Sequence, residues 1–263
     1  MTGAAISIEH VTKRFPLKGQ SAGVMALEDI SIAVEQSEFV ALLGPSGCGK
    51  STLLRLVASL ERPTEGTVSI GGEAPGSLAA RHALGVAFQD HALLPWLNVH
   101  DNIALPFSLA NKPVDREAVG GLIDLVGLNG FETARPGQLS GGMRQRVSIA
   151  RSLVLSPEVL LLDEPFGALD AVTRRQMNIE LQRIWSRQRI TTVLVTHSVD
   201  EALFLADRVL VLSARPGRII REVATPFDRP RDPAVMRSAT FHDLVDDLTD
   251  ALHPTDATAH AGR

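Results

Sequence analysis

The chain has 263 residues, 44% hydrophobic and 21% charged, enough apolar material for one large domain with a substantial core. Its net charge of −4 and pI of about 6.1 exclude a chain-wide basic surface for nucleic acid. Its single cysteine, Cys48, excludes an intrachain disulfide, and no run approaches the length of a membrane-spanning helix. The first residues, MTGAAISIEH, lack the basic and long apolar segments of a secretion signal, so the expectation is a soluble cytoplasmic protein.

Residues 6–11 alternate apolar and polar side chains and are predicted to form a strand, and residues 27–34 and 38–43 two more. A helix is expected over 50–59, directly after a glycine-rich loop, with short strands over 67–70 and 85–88. From about residue 91 to 157 the pattern turns helical, with helices over 99–109, 116–126 and 142–155. Residues 158–162 are predicted to be a buried strand, apolar as parallel strands covered on both faces tend to be. A long amphipathic helix over 171–187 follows, then strands over 192–196 and 208–212 around a short helix over 199–206, and a final helix over 232–252. The tail, 253–263, is small and polar and is predicted to be disordered. This order implies an α/β domain over residues 1–252 with a helical subdomain inserted at about 91–157.

Residues 44–52 are GPSGCGKST and follow the apolar run FVALL. Gly44, Gly49, Lys50 and Ser51 match the phosphate-binding loop pattern, set between a strand and a helix. Glycines let the backbone wrap an anion with its N–H groups turned inward, and the helix that follows points its positive end at the same place. Pro45, Ser46, Gly47, Cys48 and Thr52 complete the loop. Lys50 can reach the terminal phosphates of a nucleotide, and Ser51 can offer its hydroxyl to a magnesium ion. Cys48 needs no special side chain at its position and serves as a small filler, yet a thiol reagent there is expected to block the site.

The run VLLLDE is a buried strand ending in two carboxylates, Asp163 and Glu164. Asp163 suits a magnesium ligand, and Glu164 suits a general base toward an attacking water. In LSGGMRQ, residues 139–145, Ser140 can cap a helix while Gly141 and Gly142 leave its N-terminus bare as a second anion site. A capped helix start with no ligand is the alternative.

Taken together, these residues resemble the nucleotide-binding subunits of ABC transporters. The resemblance rests on GPSGCGKST, Gln89 after Val86-Ala87-Phe88, LSGGMRQ, VLLLDEP, Ala168-Leu169-Asp170 and His197 in VTHS, in that order, and it covers residues 6–220. It implies the ABC ATPase fold: a P-loop NTPase core with an antiparallel β subdomain and an inserted α-helical subdomain. It also implies a head-to-tail homodimer that closes on two ATP molecules and Mg2+. Residues 44–52 would hold the phosphates in cis, and Ser140, Gly141 and Gly142 would touch the γ-phosphate in trans. Gln89 would contact magnesium and the attacking water, His197 the γ-phosphate, and Asp170 would help to join the subunits. An aromatic near the N-terminus usually stacks on adenine; the chain has no Tyr, so Phe15 is expected in that role.

A finer likeness, to the nitrate/sulfonate/taurine import group, rests on LLPWLNVHDNIALPF, GALDAVTRRQMNIELQRIWSRQ, THSVDEALFLADRVLVLSARPGRI and PFDRPRDPAVMRS. It implies the ATP-hydrolysing subunit of a membrane importer, peripheral at the cytoplasmic face of the inner membrane. Separate permease chains and a solute-binding protein would complete the system, with no nucleic-acid partner. Segment 91–99, HALLPWLNV, is a candidate seat for a short permease helix, with the subdomain's own core as the alternative. The competing function is an ABC-type ATPase that drives a ribosome or DNA-repair machine. Such relatives carry tandem ATPase units or a long coiled coil, and this chain has one unit and no sustained heptads.

Overall fold

The computed structural model describes residues 3–17, 20–167 and 169–252. A three-stranded antiparallel sheet, in the order β2-β1-β4, is built from β1 (Ile6–Leu17), β2 (Gln20–Val34) and β4 (Glu65–Ile70). A six-stranded sheet runs β5-β6-β7-β3-β8-β9, from β5 (Leu84–Ala87), β6 (Val159–Asp163), β7 (Thr191–Val195), β3 (Phe39–Leu43), β8 (Arg208–Leu212) and β9 (Ile219–Ala224). Its first five strands are parallel, and β9 closes the edge antiparallel to β8.

Every residue of β3, β6 and β7 is buried, because the parallel strands are covered on both faces. Alternation along β3 divides the core in two. Phe39, Ala41 and Leu43 join the larger cluster, whereas Val40 and Leu42 join the cluster that includes Ile6, Ile8, Leu53 and Leu54. The smaller cluster takes in α1 (Lys50–Val57), packed under the antiparallel sheet. Between β5 and β6 in chain order stand α3 (Val99–Leu109), α4 (Arg116–Leu125) and α5 (Gly141–Leu153). Their apolar faces, including Ile103, Val119, Ile123 and Val147, belong to the larger cluster. That cluster also holds residues of α6 (Ala171–Gln188), α7 (Val199–Leu205) and α8 (Ala239–Leu252).

The chain departs from the sequence pattern in four places. The first two strands run well past their predicted ends as one long hairpin, because bulges at His10 and Asp29 break the alternation without ending the pairing. His10 and Asp29 both have positive φ, and their side chains meet at 2.8 Å. Helix α2 (Pro75–Ala80) is six residues long, too short to show a helical period. Strand β9 is half-exposed to exposed along its length and offers no apolar run. The predicted helix over 232–252 is broken: Asp232 accepts from Ala234 N at 2.7 Å and caps a 3-10 turn over Pro233–Arg237, and α8 starts only after Ser238. The expected disordered tail, 253–263, lies outside the described residues.

The segment PFDRPRDP fastens the C-terminal region to the end of α7. Arg231 is 3% exposed, and its Nη1 donates to the carbonyls of Leu203, Phe204 and Ala206 at 2.7–2.9 Å. Gln182 of α6 grips the Arg231 backbone from both sides, accepting from its N–H and donating to its carbonyl. Arg229 pairs with Asp207 at 2.6 Å and lies 3.9 Å from the Trp185 ring centroid. Burial pulls the Arg231 guanidinium down to about 10, so it stays charged at neutral pH. Arg231→Met should destabilise the fold by about 2 kcal/mol or more, because carbonyls at the end of α7 lose their donor. Urea unfolding curves check this, and an unshifted midpoint would contradict it.

Candidate active site

The loop after β3 reverses the chain into α1 under tight steric limits. Gly49 has φ 110°, and a Cβ there would stand 2.6 Å from Leu27 Cδ2 and 2.8 Å from Ala26 O, so only glycine fits. No side chain caps α1, which leaves its first N–H groups without a side-chain acceptor, an arrangement that favours an anion. Lys50 is 6% exposed and donates to Gly44 O at 2.6 Å and Pro45 O at 3.0 Å, which holds its ammonium within the curve of the loop.

Ser51 Oγ donates to Asp163 Oδ1 at 3.0 Å, joining this loop to the end of β6. Burial pushes the Asp163 carboxyl upward, and the Ser51 hydrogen bond opposes that shift. Glu164 follows with φ 48°, a sharp turn for a non-glycine residue, and its N–H donates to Val195 O at 2.8 Å. That turn aims its carboxylate at His197, Oε2 lying 3.3 Å from Nδ1. Glu164 lines a cleft of about 470 Å³ together with Phe15, Ser46, Gly47, Lys50 and Gln89. Ser51 and Thr52 line it too.

The structure thus gathers the loop, Phe15, Gln89 and Glu164 around one space, with Asp163 attached through Ser51 and His197 through Glu164. The Lys13 ammonium lies 4.8 Å from the Phe15 ring centroid. Cys48 belongs to the loop only by its backbone. Its side chain is 1% exposed and packs in the smaller core cluster, with Sγ 3.8 Å from Lys50 Nζ. It sits there as a buried filler rather than an exposed thiol.

Ser140, Gly141 and Gly142 stand apart from this cleft. Ser140 Oγ accepts from Met143 N at 3.2 Å and caps α5. A Cβ on Gly142 would meet Leu169 Cδ2 at 2.5 Å, so this glycine lets Leu169 lie across the start of the helix. Asp170 caps α6 by accepting from Thr173 N at 3.0 Å and Val172 N at 3.1 Å, bonds that hold its carboxyl below the usual range. In segment 91–99, Leu93 and Val99 pack in the core while Trp96 is 66% exposed. The apolar groove near it, about 450 Å³, is lined instead by residues such as Leu60, Phe88, Pro106, Leu109 and Leu155. The predicted seat is therefore divided between core and surface, and the groove is formed by other elements.

Two residues escaped the sequence reading. Arg215 lines the cleft and donates to Gly47 O. Glu201 closes a ring of hydrogen bonds around the turn that carries His197. Its carboxylate accepts from Thr196 Oγ1, that oxygen accepts from Ser198 N at 3.0 Å, and Ser198 Oγ accepts from Glu201 N at 3.3 Å. Burial raises the Glu201 carboxyl to about 7. A buried acid in an apolar helix gives no sequence signal, because only the fold shows what surrounds it.

The donors converging at Ser51 and Asp163 are hard oxygens, which fit a magnesium ion. No group of three or more His, Cys, Asp or Glu among the described residues could hold a metal by itself. Such a site suits an ion that also takes oxygens from the nucleotide's phosphates.

A phosphate loop on a parallel sheet, with a carboxylate pair at the end of a second strand, defines a P-loop nucleoside triphosphatase. A model of the ABC transporter family matches residues 27–167. The chain is 45% identical over 257 residues to the nitrate import ATP-binding protein NrtD of Synechococcus elongatus, covering 94% of this chain and 91% of that one. It is 44% identical over 226 residues to the aliphatic sulfonates import ATP-binding protein SsuB of Bacillus cereus, covering 86% and 88%. Its fold matches that of the dimeric ATP-binding cassette MJ0796, bound to ADP and Pi, with a TM-score of 0.76 at 29% identity, covering 85% of this chain and all of that one. The chain belongs to the ABC transporter family, as an ATP-binding cassette that hydrolyses ATP. No helix among the described residues is long and apolar enough to cross a membrane.

The folded-state value for Glu201 lies above the ordinary 4.5, so the folded protein binds this proton more tightly than the unfolded chain does. The stability it contributes is present at low pH and is lost as pH rises from 4.5 toward 7. Glu201→Gln cannot ionise and should gain stability relative to the wild type between about pH 5 and pH 8. Paired urea unfolding curves measure this, and a stability difference that does not change with pH would contradict it.

Proposed function

We propose that this chain is the ATP-hydrolysing subunit of an importer for a small oxyanion of the nitrate or sulfonate kind. The observation that carries the reading is the single cleft that joins Lys50, Ser51–Asp163 and Glu164–His197 while leaving Ser140, Gly141 and Gly142 outside it. One subunit holds the phosphate loop and the hydrolytic carboxylate, and a second copy supplies the bare start of α5. The active form is a head-to-tail homodimer with two ATP molecules at the interface.

In this reading Lys50 and the loop N–H groups, with Gly44, Gly47 and Gly49 at its turns, bind the phosphates, and Phe15 stacks on the base. Asp163, Ser51 and Gln89 hold Mg2+, which supplies charge neutralisation of the phosphates when bound. Glu164 takes a proton from the attacking water, and His197, 3.3 Å away, orients that carboxylate and contacts the γ-phosphate. Catalysis is mainly positioning and charge stabilisation. Asp170 meets the second copy beside α6.

The permease partner is a polytopic membrane chain, and a short helix of it docks in the groove bordered by Leu60 and Leu109, which are 61% and 66% exposed. Gln89, directly after Phe88 of that groove, connects nucleotide and permease. The subunit sits peripherally on the cytoplasmic face of the inner membrane, and a solute-binding protein completes the system. The names of the nitrate and sulfonate import relatives support this substrate class.

Glu164→Gln should keep ATP binding, slow hydrolysis by about 10²-fold or more, and hold an ATP-bound dimer. Turnover near the wild-type rate would remove Glu164 from the base role. Tagged Glu164→Gln chain, captured from detergent-solubilised native membranes, should bring down a polytopic membrane protein in stoichiometric amount. Reproducible capture of only ribosomal or DNA-associated proteins would contradict the importer.

A further inference from the structure

The turn between β8 and β9 has the sequence SARPGR, residues 213–218, and lies outside the hydrolytic set of Lys50, Ser51, Asp163, Glu164 and His197. It is closed on itself and docked on the phosphate loop. Ser213 N donates to Arg218 O at 2.8 Å, and Ser213 Oγ accepts from Arg218 N at 3.0 Å. Gly217 exchanges hydrogen bonds with β2: its N–H donates to Ala26 O and its carbonyl accepts from Glu28 N, both at 3.0 Å. A Cβ on Gly217 would stand 2.2 Å from Cys48 O, so the turn lies against the loop backbone at a distance only glycine allows. Arg218 anchors the turn from outside through Glu28 at 2.7 Å.

Arg215 is treated differently by the fold. Its Nε and Nη2 donate to Gly47 O at 3.1 and 2.9 Å, and among the described residues it has no carboxylate partner. Two of its nitrogens are committed to the loop, which leaves Nη1 and further donor capacity at the rim of the cleft. Among the described residues, Lys50 and Arg215 are the two cations that line this space. Lys50 is buried within the curve of the loop, beside Ser51 and Asp163, whereas Arg215 is exposed and held at Gly47. A guanidinium without an ion pair, fixed at the edge of an anion-binding loop, matches a phosphate oxygen in charge and in planar geometry.

We propose that Arg215 is a nucleotide-binding residue of this ATPase, laying its guanidinium on the polyphosphate from the same subunit, with the docked SARPGR turn holding it in place. The contact is to bound nucleotide in general, so it serves ADP as well as ATP and sets affinity rather than the hydrolytic step. The inference rests on the cleft being the nucleotide site.

The test is equilibrium binding of MgATP and MgADP to the full chain and its variants, with steady-state ATPase kinetics and thermal melts without nucleotide. Arg215→Ala and Arg215→Gln should each weaken both nucleotides by about tenfold and raise KM, with kcat within about twofold of wild type. Arg215→Lys, which keeps the charge but not the planar fork, should recover part of the affinity. Wild-type affinity in Arg215→Ala overturns the proposal. So does a Lys variant no better than the Gln variant, which would reduce Arg215 to a staple on Gly47. Lys50→Ala in the same assay separates the two claims: undiminished affinity there would count against the cleft itself.

Discussion

The hydrogen bond from Ser51, at the start of α1 beyond β3, to Asp163 at the end of β6 bridges two strands that are not neighbours. In the sheet order β5-β6-β7-β3-β8-β9, β7 lies between them, so the contact forms only because β3 and β6 end at the same edge of a parallel sheet. Lys50, Ser51, Asp163 and Glu164 collect along that edge. Glu164 leaves β6 and is tied back by its N–H to Val195 at the end of β7. His197 leaves β7, and Gln89 leaves β5. The carboxyl ends of parallel strands are where such folds bind ligands, and the sharp backbone at Glu164 turns its carboxylate into that space.

The supporting structure works at one remove. Glu201 holds the turn around His197 from the start of α7, and Arg231 holds the carbonyls at its other end. Arg174 of α6 donates to Phe166 O and Leu169 O, fixing the segment after Glu164 that also lies over Gly142. Short helices and buried polar anchors thus set the positions of Glu164, His197 and the α5 N-terminus relative to one another. A buried charge that loses its partner is costly, so removing one of these anchors would disturb that edge.

Much of this was legible in the residues. The buried strands, the loop before α1 and the carboxylate pair follow from apolar runs and glycine spacing, which local chemistry determines. What escaped is set by long-range contact. Bulges at His10 and Asp29 hid the length of the first hairpin, and β9 is a strand because β8 offers it an edge rather than because its exposed side chains favour one. Arg215 is 168 residues from Gly47, and no local pattern joins them. Cys48, placed in the loop by its position in the chain, turns its side chain into the core because Gly44 leaves room beside Sγ.

The central claim is that one subunit's cleft is completed by the α5 N-terminus of another copy. It is tested most directly by adding Ser140→Arg to a Glu164→Gln background and measuring both MgATP affinity and association state by sedimentation. The account predicts a monomer that binds MgATP as tightly as the Glu164→Gln monomer and no longer dimerises on it. A loss of MgATP affinity in the monomer, or a dimer that persists, would contradict it.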